Sequence, residues 1–326
     1  MAVKFGVFVP QGWRMDLVEI ADPVEQFEAM TAVARAADDD PAWDSIWVYD
    51  HFHTVPEPTL ETTFECWTIT ATLARDTQRV KIGQMVGCNG YRNPALYAKI
   101  ASTVDVASHG RLYAGIGAGW YEHEWRAYGY GFPEVPERMR MFREAVQIIH
   151  AMWTEEAPTF HGRYYSIDGA INEPRGVQKP HPPLWIGGGG EQVTLKLVAQ
   201  YGDASNFGSG DASVIREKLD ILRGHCETVG RNYDEITKST EIFLLPIPQG
   251  VDRERFLAEA PAKLHLNEAE FARRYWAGSS DEIVERLQPA IAAGIDYVIF
   301  YIPGLAYGHE AMHQVAQEVI PHFQDA

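Results

Sequence analysis

Asp50, His51 and His53 close a short run, Ser45-Ile46-Trp47-Val48-Tyr49, that is apolar enough for a buried strand. A hydrophobic strand ending in a carboxylate and two imidazoles carries titratable groups to the rim of a sheet or barrel. That rim is where α/β proteins keep their chemistry. His51 has a side chain whose ordinary titration falls near neutrality, so it is the candidate proton donor or acceptor. Asp50 is its candidate partner, in the chemistry or merely as a satisfied strand-end pair. His51-Phe52-His53 also has the HxH spacing of a metal pair, but a barrel metal site needs further His and Asp ligands at later strand ends. This chain has glycine-rich ends there, so no metal is expected.

The scaffold that would position these groups repeats along the chain. Strand-like runs occur at Val3–Val9, Ser45–Tyr49, Val80–Val86, Arg111–Ile116, Leu184–Ile186, Ala204–Phe207, Ile236–Pro246 and Tyr297–Tyr301. Helical stretches fall between them, at about 23–37, 63–75, 94–107, 137–153, 191–201, 213–229 and 279–293, with a last one ending near Phe323. Asp22 before Pro23 and Ser279 before Glu282 read as N-caps. Strict alternation without a linker predicts an α/β fold: a single (β/α)8 TIM barrel over residues 1–326, with insertions after strands 4, 5 and 7. The insertions are placed at about 118–136, 157–183 and 249–277, where aromatics, glycines and prolines lose helical period. A doubly wound sheet would carry GxGxxG after its first strand, and Pro10-Gln11-Gly12-Trp13 does not fit that pattern.

In a barrel, the strand ends are the candidate site. They include Gly87-Cys88-Asn89, Gly117-Ala118-Gly119-Trp120, Gly187–Gly190 and Phe207-Gly208-Ser209-Gly210. Glycine lets the backbone approach a ligand closely. Gly188, Gly189 and Gly190 lead into a helix N-terminus, an arrangement suited to a phosphate. One such end would be an ordinary tight turn, whereas three at one rim point to a large, planar, phosphorylated ligand. Cys88 is either a nucleophile or a buried inert thiol, and no local histidine supports the first. Trp120-Tyr121-Glu122-His123-Glu124-Trp125 is either an exposed first helical turn or one wall of a pocket, with Trp120 or His123 against a ring.

Composition narrows the partners. With 28 Lys plus Arg against 45 Asp plus Glu, the net charge of −17 repels nucleic acid and anionic membranes. The 46% hydrophobic content supports a sizeable core, yet no run is long enough to span a bilayer. Three scattered cysteines without CxxC argue against disulfides and zinc, and no basic-then-apolar leader opens the chain. A cytoplasmic location and a small-molecule substrate are therefore expected.

Several motifs together, in order, resemble one family: SIWVYDH at Ser45–His51, YRNPALYAK at Tyr91–Lys99, Gly110-Arg111-Leu112 followed by Gly115–Trp120, PPLWIGGG at Pro182–Gly189, and Ser280–Ile283 with Ala293–Asp296. The chain resembles the bacterial-luciferase-like oxidoreductases, especially the branch that uses the 5-deazaflavin coenzyme F420. The likeness runs from the first strand to the eighth and implies an insertion-bearing barrel that forms a homodimer. It implies Asp50 and His51 at the deazaflavin face, with His51 as the proton-handling group. It places a non-prolyl cis peptide at Gly87–Cys88, beside Asn89, and puts Gly188, Gly189, Gly190, Gly208 and Ser209 near the phosphate-bearing tail. His123 matches a ring contact, while His53, Trp120 and Tyr121 border the substrate pocket. Relatives that oxidise glucose 6-phosphate carry Glu at Trp120, Trp at Val55 and a phosphate-binding Lys at Asp211. Those departures imply an uncharged or apolar substrate.

The expected function is hydride transfer with coenzyme F420. The alternatives are an FMN-dependent monooxygenase fed by a separate reductase, and a non-catalytic relative that carries or senses a flavin-type ligand.

Overall fold

The computed structural model describes residues 2–208 and 210–324. Eight parallel strands close into a barrel: Lys4–Phe8, Ser45–Val48, Lys81–Gln84, Leu112–Gly117, Leu184–Gly187, Ala204–Asn206, Thr237–Pro246 and Tyr297–Tyr301. Closure runs through the seventh strand, which pairs with both the sixth and the eighth. The first strand pairs with the second and the eighth.

The expected caps are formed. Asp22 accepts from Val24 N and Glu25 N at 2.7 and 3.1 Å and starts the helix Pro23–Asp39. Ser279 and Glu282 form a reciprocal capping box on Ser280–Ala292. The helix after the fifth strand begins at Thr194, three residues later than expected, because 191–193 form a turn.

The barrel's lower half is packed with large rings. Trp47 meets Trp185 at 4.7 Å, and Trp185 meets Tyr113 and Tyr297 at 4.9 and 5.0 Å. Trp47 fits only because its neighbours on both sides are glycine. A Cβ on Gly6 or Gly83 would lie 2.4 Å from its ring. The Tyr297 hydroxyl donates to Asp44 and meets the Ser45 hydroxyl, each at 2.6 Å, so the plug buries no stranded donor there.

The insertions differ from expectation in two respects. Segments 118–136 and 157–183 both fall between the fourth and fifth strands, so the second does not follow the fifth. The first holds a short helix, Glu122–Ala127, and the second a two-stranded ribbon, Phe160–His161 with Ser166–Ile167. The segment 249–277 contains two helices, Arg253–Lys263 and Glu268–Arg274, and ends in an added strand, Tyr275–Gly278. That strand pairs in parallel with Phe243–Pro246, beyond the reach of the short sixth strand.

Among the described residues, no helix is long and apolar enough to cross a membrane. Nor does any group of three or more His, Cys, Asp or Glu among them have the arrangement to hold a metal ion.

Candidate active site

The ends of the first to seventh strands line a pocket of about 400 Å3, a volume suited to a small ligand. His51 lines it. Its ring stacks on Trp13 at 4.9 Å and 8°, and Trp120 and Tyr121 approach it edge-on at 5.9 and 6.0 Å. Nδ1 of His51 lies 2.9 Å from Oε2 of Glu124. An ionised carboxylate only accepts, so the neutral ring is the Nδ1–H tautomer and Nε2 keeps its lone pair. This is the arrangement by which a carboxylate orients a general base.

Glu124 is wholly buried and collects four donors. Oε2 accepts from His51 and from the Tyr91 hydroxyl at 2.7 Å. Oε1 accepts from Phe52 N at 2.7 Å and His53 N at 3.2 Å. Burial alone would raise its titration, but the bonds and charge of His51, with those of Tyr91 and Phe52 N, hold it below the ordinary value. The short helix Glu122–Ala127 therefore anchors the loop that follows the second strand.

Asp50 lines the pocket and also carries an ion pair. Arg92 grips it bidentately, at 2.5 and 3.0 Å, and the Cys88 N–H donates to Oδ2 at 2.7 Å. Burial would lower the Arg92 titration, but Asp50 and then Glu65 hold it above the ordinary value. Asp50 thus positions the third strand's end, while the hydrogen-bond partner of His51 is Glu124.

The non-prolyl cis bond lies at Met85–Val86, a correction to the expected Gly87–Cys88. The reason is visible in the pairing: Gly87 and Cys88 already lie in strand register with Ile116 and Gly117, so the break precedes them. Val86 lies across the pocket floor. A Cβ on Gly117 or Gly187 would stand 2.6 or 2.8 Å from its methyl groups. Two of the three glycine-rich ends are thus explained first by packing against Val86. Gly210 is explained likewise by Trp276, whose ring a Cβ would meet at 2.1 Å.

The structure brings His51, Asp50, Gly87, Cys88, Gly188, Gly208, Trp120 and Tyr121 to one pocket. Asn89, His53, His123, Gly189 and Gly190 are not among its walls. Asn89 Nδ2 reaches the Tyr165 hydroxyl at 3.4 Å. His53 Nε2 faces Nδ1 of the exposed His123 at 3.1 Å. Gly189 lies near Lys218 and Gly190 beside Thr194. Ser209 lies outside the described residues. Burial pushes the Cys88 thiol up, which leaves it un-ionised at neutral pH and unsuited to nucleophilic attack. Trp13, Arg14, Glu124, Glu241 and Phe243 are site residues that sequence reading missed. Of these, Glu124 and Trp13 stand within quoted stretches, and the rest carry no local signal.

A closed parallel barrel with its pocket at the strand ends has the layout of the barrel enzymes. Residues 3–248 match the luciferase-like monooxygenase family, and the chain belongs to that family of oxidoreductase enzymes. It is 30% identical over 307 residues to an F420-dependent glucose-6-phosphate dehydrogenase of Kineococcus radiotolerans, covering 85% of this chain and 88% of that one. It is 28% identical over 183 residues to an FMNH2-dependent dimethylsulfone monooxygenase of Pseudomonas putida, covering 54% and 50%. A solved F420-dependent secondary alcohol dehydrogenase in complex with an F420–acetone adduct shares the fold. Its TM-score is 0.76 at 21% identity, covering 97% of this chain and 99% of that one.

Proposed function

We propose that this enzyme transfers hydride between coenzyme F420 and a small, uncharged or apolar organic substrate. The observation that carries the reading is the His51–Glu124 pair, a pre-oriented base on the wall of a pocket whose floor is Val86 and whose far side is glycine. The open faces at Gly188 and Gly208, both with positive φ, suit a large planar group with a tail. What supports F420 over FMN is the relative that matches over most of both chains, against one that matches over about half.

When bound, the deazaflavin supplies a carbon that accepts or donates hydride and, unlike a flavin, does not readily activate oxygen. The chain's own residues supply the remainder. Nε2 of His51 takes a proton from, or returns it to, the substrate's heteroatom, while Glu124 fixes the ring's tautomer and stabilises its protonated form. Trp13 backs the imidazole, and Trp120 with Tyr121 shields it from water. Two features support an uncharged substrate. Asp211, standing where sugar-phosphate relatives have Lys, is occupied as an N-cap, accepting from Ser213 N and Val214 N at 2.7 and 3.2 Å. The pocket walls beside His51 are indole and phenol rings.

Titrating the purified protein with F420 and with FMN, each followed by fluorescence quenching, tests this. Tighter binding of F420, with turnover that leaves dissolved oxygen unchanged, is the expected result. Oxygen consumption driven by reduced FMN would overturn it in favour of the monooxygenase reading. A homodimer belongs to the same proposal, and sedimentation velocity measures it.

A further inference from the structure

Glu241 stands apart from the other acids of the pocket because its carboxylate has no hydrogen-bond partner among the described residues. It lies on the seventh barrel strand, level with Ile299 of the eighth, and shares the pocket wall with Arg14, Phe243 and Gly208. A Cβ on Gly208 would be 4.0 Å from its Oε1, so the oxygen faces the open side of that turn. The neighbouring cation, Arg14, makes no hydrogen bond to it, and the Arg14 Nε also lacks a partner. Arg14 Nη1 donates to the Val55 carbonyl at 2.9 Å, and its guanidinium lies over the Trp13 ring at 4.1 Å. The Glu241 side chain is half-buried and faces the pocket, so a ligand that displaces water from it must supply the donor that the protein does not.

The surroundings select the donor. A phosphate brought to this oxygen would set two anions together. A cationic ligand would be repelled by Arg14, which borders the same space. A neutral hydroxyl donates without either conflict. Glu241 also stands across the mouth from His51: the second strand carries one and the seventh the other. A ligand whose reactive part faces His51 therefore presents a different part to Glu241.

We propose that Glu241 accepts a hydrogen bond from the hydroxyl-bearing side chain of the bound chromophore and so selects a polyol-substituted ring over a bare one. The inference rests on the reading of this pocket as a deazaflavin or flavin site.

The test compares two deazaflavin chromophores, one with the ribityl chain and one with a methyl group in its place. Each is titrated by fluorescence against wild type, Glu241→Gln and Glu241→Leu, with thermal melts to establish folding. With the titrations run about one pH unit or more above 7, where Glu241 is ionised, Glu241→Leu is expected to weaken the ribityl form about 10- to 100-fold, the scale of a lost charge-assisted hydrogen bond, and to leave the methyl form nearly unchanged. Glu241→Gln, which keeps an acceptor, is expected to lose less, and it carries the test if the leucine variant does not fold. Equal weakening of both chromophores, or of neither, overturns the assignment. So does a loss confined to hydroxyl-bearing substrates, which would give the donor to the substrate. If wild type binds neither chromophore, the cofactor reading itself fails, a result distinct from the other outcomes.

Discussion

Glu124 holds Nδ1 of His51 at 2.9 Å across 73 residues of sequence. The short helix after the fourth strand therefore sets the tautomer of a base delivered by the second. Glu124→Gln keeps the side chain's size but no longer requires an Nδ1 proton. Hydride transfer measured by stopped-flow absorbance of the cofactor is expected to fall about 10²–10⁴-fold. The cofactor dissociation constant should move little. An unchanged rate would remove Glu124 from the chemistry.

Two acids should give opposite slopes to stability against pH. Glu124 titrates below its ordinary value near 4.5 in the folded state. Its contribution is complete above that value and is lost as pH falls through the depressed one. Glu241 is pushed up to about 7 by burial, opposed by the charge of Arg14. The folded state then holds a proton that the unfolded chain has released, so stability declines as pH rises from about 4.5 through 7. Thermal melts from about pH 2 to 8 should show the upper decline flattened in Glu241→Gln and the acid-side loss reduced in Glu124→Gln.

Breaking the Asp50–Arg92 pair from one side leaves a buried charge. Arg92→Met is expected to cost about 3–5 kcal/mol in urea unfolding. Adding Asp50→Asn should recover part of that loss, because the stranded carboxylate disappears. Additive losses would show that the two residues act separately.

How far the sequence reveals this molecule depends on how local each signal is. The strand at Ser45–Val48 was readable because four buried residues stop at polar ones. Asp50 and His51 could accordingly be placed at a rim. The partner of His51 was not readable, since nothing near residue 51 points to residue 124. The cis bond was misplaced because Val80–Val86 is an unbroken strand-like run, and only the pairing of Gly87 with Ile116 shows where the backbone turns. Gly117 and Gly187 looked like ligand contacts, yet the first thing each would meet is Val86. Tyr275–Gly278 has no strand signal of its own, because its register is set by the free edge of Phe243–Pro246.

That packing is testable. Gly117→Ala places a methyl group 2.6 Å from Val86 and is expected to destabilise the fold by about 1–3 kcal/mol. With Val86→Ala as the background, the same change should cost clearly less, as a double-mutant cycle in urea would record. An equal cost in both backgrounds would mean that the main conflict lies elsewhere.

The ring plug of Trp47, Tyr113, Trp185 and Tyr297 makes the chamber a cul-de-sac. On the proposed reading a cofactor and a substrate would then share the side that Trp120 and Tyr121 border, and the one seated against Val86 would have to arrive first and depart last. Order of addition would thus be set at the bottom of the barrel, far from any atom that reacts.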